Sequence, residues 1–260
     1  MNMIAAGYPA RCMVRCMALS MVLCLVAHRG YAQVPETGRF QELSFSAEEV
    51  GARMEDRYID QVVGLAAAGK LDEDRVLLAR LRRIADGLVA AAVTLKPEAA
   101  LWQWEVHTTS DPGVDALCMA GGKILVGSTF VHAMALTDGE LATLLAHEVA
   151  HAVAEHHRET LSEAMFLNRP LAPVDVVMER LDTDLSLQLR LARMSRLQES
   201  EADQLGMLLA HRAGWRADDM VSFYRKLAAG DGAALFSGHP AAASRLSMAR
   251  GMRRLLEGSR

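Results

Sequence analysis

The chain has 260 residues, of which 51% are hydrophobic and 23% are charged, and its net charge is −4. This composition is typical of a globular domain with enough apolar material for one core, and it excludes a disordered or fibrous chain. Because basic residues are not in excess, nothing indicates binding to nucleic acid.

Residues 1–32 differ in composition from the rest of the chain. Arg11 and Arg15 precede the apolar run MALSMVLCLVA, no acidic residue occurs, and GYA at 30–32 offers the small residues that a signal peptidase reads. The pattern predicts an export signal that is cut after Ala32, and therefore a periplasmic protein. Anchoring by an uncleaved segment is the alternative, but this apolar run is well short of the roughly 20 residues that span a bilayer.

Cysteine use is compatible with a bacterial periplasm. Three of the four cysteines lie within residues 1–32, so a cut after Ala32 would leave Cys118 without a partner for an internal disulfide. The remaining chain would carry 25 basic and 32 acidic residues, a net charge of −7.

The first half of the remaining chain combines a helical hairpin with two strands. Residues 33–45 are polar and predict a leader arm. Helical spacing of apolar residues over 46–68 and 72–94 predicts two helices that pack as a hairpin. The alternating segment LWQWEVHT (101–108) and the segment GGKILVGS (121–128) predict two strands.

The second half of the chain is predicted to be helical. Thr137 and Glu140 have the spacing of a capping box, which predicts a core helix that runs to about His157. Further helical patterns cover 174–212, 217–229 and 241–256, and the segment 231–240 predicts a loop. Since no repeat or linker interrupts residues 46–260, we expect a single α+β domain that is mainly helical.

The motif HEVAH, residues 147–151, predicts a metal site. Its two histidines, His147 and His151, are four residues apart on one side of a helix and can bind one zinc ion. Glu148 lies at the edge of that side, where a carboxylate can take a proton from water without binding the metal. A surface helix that carries these residues by chance is the alternative, but the surrounding LATLLAHEVAHAVA is apolar, and burying unpaired charges there would be costly.

A third zinc ligand is expected from the segment QESEAD, residues 198–203. Glu199 and Asp203 are four residues apart and share a helix face, whereas Glu201 faces elsewhere. One of the two can bind zinc while the other accepts a hydrogen bond from a ligand histidine. The spacing alone does not decide which carboxylate has which role.

The order of HEVAH and then ESEAD resembles the HExxH and ExxxD pattern of a family of zinc metallopeptidases, the gluzincins. This family includes HtpX, the CAAX-prenyl endopeptidases and the periplasmic β-barrel-assembly-enhancing proteases. The resemblance implies a zincin-type domain with a small β-sheet, whose edge strand lies beside the active-site helix. It also implies one zinc ion per chain, with Glu199 as the third ligand and Asp203 behind the ligands.

Other segments extend the resemblance over roughly residues 45 to 255. DALCMAGGKILVGSTFV (115–131) is similar to the family's segment that borders the cleft and pairs with extended substrate, although Asp115 and Ala120 replace the usual Asn and Pro. AGWRADDMVSFYRKL (213–227) is similar to its helix-turn-helix. HP at 239–240 together with Arg245 resembles its C-terminal His-Pro and Arg, which implies that Arg245 supports the metal site.

The resemblance implies an exported zinc endopeptidase that hydrolyses peptide bonds in unfolded or misassembled envelope proteins, and it suggests peripheral association with the outer-membrane assembly machinery. Glu148 would activate water and protonate the leaving amine, with substrate added as a strand beside GGKILVGS. A self-inhibited, chaperone-like binding module that retains the metal but rarely cleaves is the rival hypothesis.

His239, in the segment SGHP, is the remaining candidate for a functional histidine. It could donate a hydrogen bond to the oxyanion, or it could close the fourth position on zinc and hold the enzyme idle, and we predict the second role. A solvated loop histidine without a function is the remaining alternative. His156 and His157, in contrast, are predicted to form an exposed helix end.

Overall fold

The computed structural model describes residues 30–167, 171–229 and 242–258. Within them, a short 3-10 helix covers Pro97–Leu101. The strands and helices are, in chain order, β1 (Gly30–Gln33), β2 (Phe40–Leu43), α1 (Ala47–Ala67), α2 (Arg75–Leu95), β3 (Glu105–Thr109), β4 (Ala116–Met119), β5 (Lys123–Gly127), α3 (Ser128–Ala133), α4 (Asp138–Val153), α5 (His156–Leu167), α6 (Val174–Thr183), α7 (Leu185–Arg212), α8 (Ala217–Ala229) and α9 (Ala242–Gly258). This mainly helical architecture with small sheets confirms the predicted α+β class.

Helix α4 is the centre of the fold. All of its residues are buried except Asp138 and His151, and it packs against α2, α7, α8 and β4. A helix that is apolar on all sides belongs in a core, as the sequence LATLLAHEVAHAVA indicates. The predicted capping box at its start is present, since Thr137 and Glu140 each accept a hydrogen bond from the other's backbone N–H.

Two helix boundaries differ from the sequence prediction. Helix α4 ends at Val153 rather than near His157, because Glu155 adopts a left-handed conformation with φ of 54° and turns the chain into α5. The predicted helix over 174–212 is divided into two helices at Asp184. Asp184 has an extended backbone, and its side chain caps the start of α7. Apolar periodicity continues across both breaks and therefore did not reveal them.

The three-stranded sheet has the order β3–β5–β4, with β3 parallel and β4 antiparallel to β5. The segment GGKILVGS therefore forms the central strand, and the prediction that substrate is added beside it is wrong. The edge strand on the side of α4 is β4, joined to β5 through Gly121 and Gly122, both with φ near 86°. Two glycines in this conformation permit the tight turn that pairs β4 with β5.

The polar segment before α1 contains a strand pair. β1 and β2 are antiparallel, and Arg39, just before β2, reaches side chains of α5 and α7. The signal cut after Ala32 stays a prediction, and it would remove all of β1 except Gln33. In the parts of the chain that the structure describes, no helix combines the length and hydropathy needed to cross a membrane.

Helices α4 and α7 approach each other closely at Gly206. A Cβ atom added to Gly206 would lie 2.9 Å from both the Cα and the backbone N of His147. Glu199, Asp203 and Gly206 are spaced four and three residues apart, so all three share the face of α7 that meets α4. The missing side chain at Gly206 thus lets both carboxylates reach the histidines of α4.

We predict that Gly206→Ala destabilises the protein, because the new methyl group must push the two helix backbones apart. Overpacking of this kind costs about 1–3 kcal/mol, measured as the free energy of unfolding in urea. The matched control is Gly64→Ala in α1, where an added Cβ meets nothing within 4 Å, so this variant should gain about 0.4–1 kcal/mol. Equal effects of the two substitutions would contradict the close approach.

Candidate metal centre

Three side chains from α4 and α7 converge on one point. His147 Nε2 lies 3.2 Å from His151 Nε2, Glu199 Oε2 lies 3.4 Å from His147 Nε2, and Glu199 Oε1 lies 3.5 Å from His151 Nε2. The two histidines are one helical turn apart on α4, and Glu199 faces them from α7. Among the described residues these three form the group of His, Cys and acidic side chains that can hold a metal ion.

The dimensions of this triangle fit a tetrahedral ion. An ion about 2.0–2.1 Å from two tetrahedral ligand atoms separates those atoms by about 3.3–3.4 Å. The two histidine nitrogens are 3.2 Å apart, and they lie 3.4 Å and 3.5 Å from Glu199 Oε2 and Oε1, respectively. Two imidazole nitrogens and a carboxylate oxygen are also a donor set that suits zinc, with a fourth position left for water or substrate. The residues present therefore fit the metal implied by the sequence motif.

Asp203 and Arg245 lie behind His147, on the side of its ring opposite the metal triangle. Asp203 Oδ1 lies 2.9 Å from His147 Nδ1, and Arg245 holds the same carboxylate through Nε at 2.8 Å and Nη2 at 2.5 Å. The hydroxyl of Tyr224 in α8 donates a further hydrogen bond to Asp203 at 2.9 Å. This set fixes the ring orientation of His147 and directs its Nε2 to the triangle.

The electrostatics of the site favour a cation. Burial alone would lower the pKa of His147, but Asp203 and Glu199 raise it to about 9. Burial, together with the neighbouring His147, lowers the pKa of His151 well below its usual value. The site therefore attracts one positive charge at His147 while burial disfavours charge on His151, and a bound metal ion would take the place of a proton.

Glu148 is buried next to the triangle and does not belong to it. Burial raises the pKa of this carboxyl to about 7, although a hydrogen bond from the backbone N–H of Cys118 opposes the rise. One of its oxygens, Oε1, is buried and has no hydrogen-bond partner. An unpartnered buried acceptor beside a metal triangle is suited to take a proton from water, and a nearby cation would lower its pKa.

His156 and His157 are not the exposed helix end that was predicted. His156 is 2% exposed, its Nδ1 lies 3.0 Å from His151 Nδ1 and its Nε2 lies 3.4 Å from Glu201. Burial lowers the pKa of His157 to about 4. The burial of both histidines follows from the left-handed turn at Glu155, which directs the start of α5 back towards the metal triangle.

Sequence reasoning missed Tyr224, His156 and the partners of Glu201. Glu201 faces away from the metal triangle as predicted, but it is 5% exposed and pairs with Arg39. No local pattern indicates these contacts, because they join segments that are distant in the sequence. His239 lies outside the described residues, so its predicted role as a gate stays a prediction.

The triangle opens into a cavity of about 390 Å³. Its walls are supplied by β4 on one side and by α1, α5 and α6 on the other, and Glu148, His151 and Glu199 line it. A second cavity of about 490 Å³, with mostly apolar walls that include Val50, Leu101 and Trp102, shares His151 with the first. The metal triangle therefore lies at the junction of two spaces large enough for side chains of a ligand.

An HExxH helix combined with a carboxylate from a second helix defines a zincin-type metallopeptidase domain. The sequence model for peptidase family M48 matches residues 77–253, more than half of the chain. The chain therefore belongs to peptidase family M48, which confirms the resemblance found in the sequence.

The segments aligned with individual relatives cover part of this chain and less than half of each relative's length. The mitochondrial metalloendopeptidase OMA1 of Arabidopsis thaliana is 35% identical over 55% of this chain and 30% of the relative. The OMA1 of Saccharomyces cerevisiae is 32% identical over 48% of this chain and 37% of the relative. A β-barrel assembly-enhancing protease of Yersinia pestis is 26% identical over 75% of this chain and 41% of the relative.

These relatives correct the predicted location. The proteins at 35%, 32% and 31% identity are all named mitochondrial metalloendopeptidases, and the β-barrel assembly-enhancing protease is less similar at 26%. The prediction of a periplasmic protein is therefore wrong, whereas the alternative of an N-terminal membrane anchor stays a prediction. It depended on the composition of residues 1–32, of which residues 1–29 lie outside the described residues.

We predict that Glu199→Ala removes most of the bound zinc, because two histidines alone hold the ion weakly. Asp203→Asn should retain zinc but weaken its affinity about 10–100-fold, as loss of a group that orients a ligand does. Ser200→Ala, at an exposed position next to Glu199, is the control and should bind zinc as the wild type does. Competition with a chromogenic chelator measures all four affinities, and full occupancy of Glu199→Ala would exclude Glu199 as a ligand.

Proposed function

We propose that this protein is a zinc-dependent endopeptidase in which His147, His151 and Glu199 hold the metal. The observation that carries the proposal is the convergence of His147, His151 and Glu199, whose ligand atoms make contacts of 3.2–3.5 Å between the three side chains, with an unpartnered Glu148 oxygen beside them. A bound zinc ion would supply Lewis-acid chemistry, lowering the pKa of water and polarising the scissile carbonyl.

Glu148 is proposed to act as the general base and then as the general acid. Its Oε1 has no protein partner, so it is free to accept a proton from the attacking water. After the transfer Glu148 is protonated, and burial favours this form because the charged carboxylate is poorly solvated in the interior. The same oxygen can return the proton to the amine of the leaving segment, so no second acid is needed.

The substrate is proposed to bind as an extended segment along β4. β4 is an edge strand of the described sheet, and Ala116, Leu117 and Cys118 line the cavity that contains Glu148. An extended chain that pairs with an edge strand is held mainly by backbone hydrogen bonds, which favours unfolded segments of many sequences. The neighbouring apolar cavity at Val50, Leu101 and Trp102 would then accept a hydrophobic side chain.

We propose unfolded or misassembled proteins as the substrates, and protein quality control as the role. Support comes from the edge-strand geometry, and from the β-barrel assembly-enhancing proteases of Yersinia pestis and Vibrio cholerae among the relatives. Association with a membrane-protein assembly machinery is the corresponding partner hypothesis. The chain spans less than half of the length of these relatives.

We predict that Glu148→Gln retains about one zinc per chain and loses nearly all cleavage of unfolded casein. Removal of a general base typically lowers the rate 10²–10⁴-fold, whereas the triangle of ligands stays intact. Glu179→Gln replaces an exposed glutamate of α6 and should cleave at the wild-type rate.

A chelator should abolish cleavage by the wild type, and added zinc should restore it. A wild-type protein that binds zinc and unfolded casein without cutting it would instead support the rival hypothesis of a chaperone-like binding module. Wild-type rates in Glu148→Gln would refute the assigned base.

A further inference from the structure

The break between α4 and α5 creates a contact that helical geometry alone forbids. On a continuous helix, His156 would point about 140° away from His151, because five residues turn the helix by about 500°. The turn at Glu155, with φ of 54°, instead brings His156 Nδ1 to 3.0 Å from His151 Nδ1. A residue other than glycine adopts this conformation at an energetic cost, so the contact is maintained against a local preference.

The direction of this hydrogen bond follows from the metal site. A metal bound through His151 Nε2 would leave the ring proton on Nδ1, which would then donate to His156. An accepting His156 Nδ1 carries no proton, so the N–H of the His156 ring would be on Nε2. That nitrogen has no hydrogen-bond partner among the described residues, but it lies 3.4 Å from Glu201 Oε2, and the negative charge of the carboxylate favours the tautomer of His156 that can accept from His151.

Glu201 is itself held by an arginine from the N-terminal strand pair. Arg39 Nε lies 2.8 Å from Glu201 Oε1, and Nη2 lies 2.7 Å from Oε2. The same guanidinium contacts both oxygens of Glu159, at 2.5 Å and 2.8 Å. Both glutamates are 5% exposed, and among the described residues Arg39 is the arginine or lysine that pairs with them, so its loss would leave two buried carboxylates poorly balanced.

The two metal-binding histidines are thus supported in the same way. Behind His147 stands the carboxylate of Asp203, held by Arg245. Behind His151 stands the carboxylate of Glu201, held by Arg39, with His156 inserted between ligand and carboxylate. One supporting arginine comes from α9 and the other from the segment that precedes β2.

We propose that His156 is a positioning residue for His151, and that Glu201 and Arg39 fix its tautomer, so that the β1–β2 segment is part of the metal centre. The inference rests on the proposed zinc site. Loss of His156 would leave the proton on His151 Nδ1 without this acceptor and would allow the ring to rotate away from the triangle.

The first test measures zinc affinity of the folded, full-length chain by chelator competition, together with the visible absorption of bound Co²⁺. His156→Leu should lower zinc affinity about 10–100-fold and alter the Co²⁺ spectrum. His156→Asn should retain most of the affinity, because its amide oxygen can occupy the position of Nδ1. His132→Leu, which removes a mostly exposed histidine of α3, is the control and should match the wild type.

The second test is a double-mutant cycle between Arg39 and His156. Arg39→Gln should lower zinc affinity about tenfold in the wild type and have little further effect in His156→Leu, because both act through one contact. Additive losses, or wild-type affinity in His156→Leu, would overturn the inference. If His156→Leu does not fold, Arg39→Gln decides alone, since unchanged affinity would contradict the proposal. A wild-type chain that binds no zinc would refute the proposed function instead.

Discussion

The close approach of α7 to the backbone of α4 at Gly206 is the constraint on which the site depends. Without a side chain at Gly206, the face of α7 that carries Glu199 and Asp203 can reach His147. An ion with bonds of about 2 Å tolerates little displacement of its ligands, so the helix separation must be held tightly. A close-packed contact between two backbones provides this, because it cannot be compressed and is costly to open.

Burial of so many charged groups around α4 requires that they balance one another. A buried carboxylate or guanidinium is costly when alone and is tolerated when it is paired and hydrogen-bonded. Asp203 pairs with His147 and Arg245, Glu201 with His156 and Arg39, and Glu159 with Arg39. These contacts lower the pKa values of the three carboxyl groups in spite of burial. The charge pairs restrict the imidazole rings to orientations from which both can face the same ion.

Local pattern was sufficient to predict the parts of the site that lie on single helices. The spacing of His147, His151 and Glu148 and the capping box of α4 are properties of one turn or one helix face, and the structure reproduces their geometry. Glu199 needed the family pattern in addition, since Asp203 shares its face.

Other features depend on how distant segments meet, which periodicity does not encode. The place of β5 in the sheet is decided by strand pairing, and the burial of His156 by a single left-handed residue within an otherwise helical pattern. Arg39 lies in a polar segment that was predicted to be a leader arm. Its side chain nevertheless contacts Glu159 and Glu201, which follow it by 120 and 162 positions in the sequence. Tyr224 likewise gave no signal of its own, because aromatic residues at helical spacing are usually core.

The distribution of the supporting arginines has a consequence for how the protein matures. Arg39 is synthesised before the histidines, and Arg245 nearly a hundred residues after them, so the two rings cannot both be oriented while α9 is still missing. Contacts between such distant positions also form late, because closing a long loop costs entropy before the contact is gained. A chain still on the ribosome therefore carries its histidine pair before Glu199 of α7 and Arg245 of α9 have been synthesised, so the centre is completed only late in synthesis.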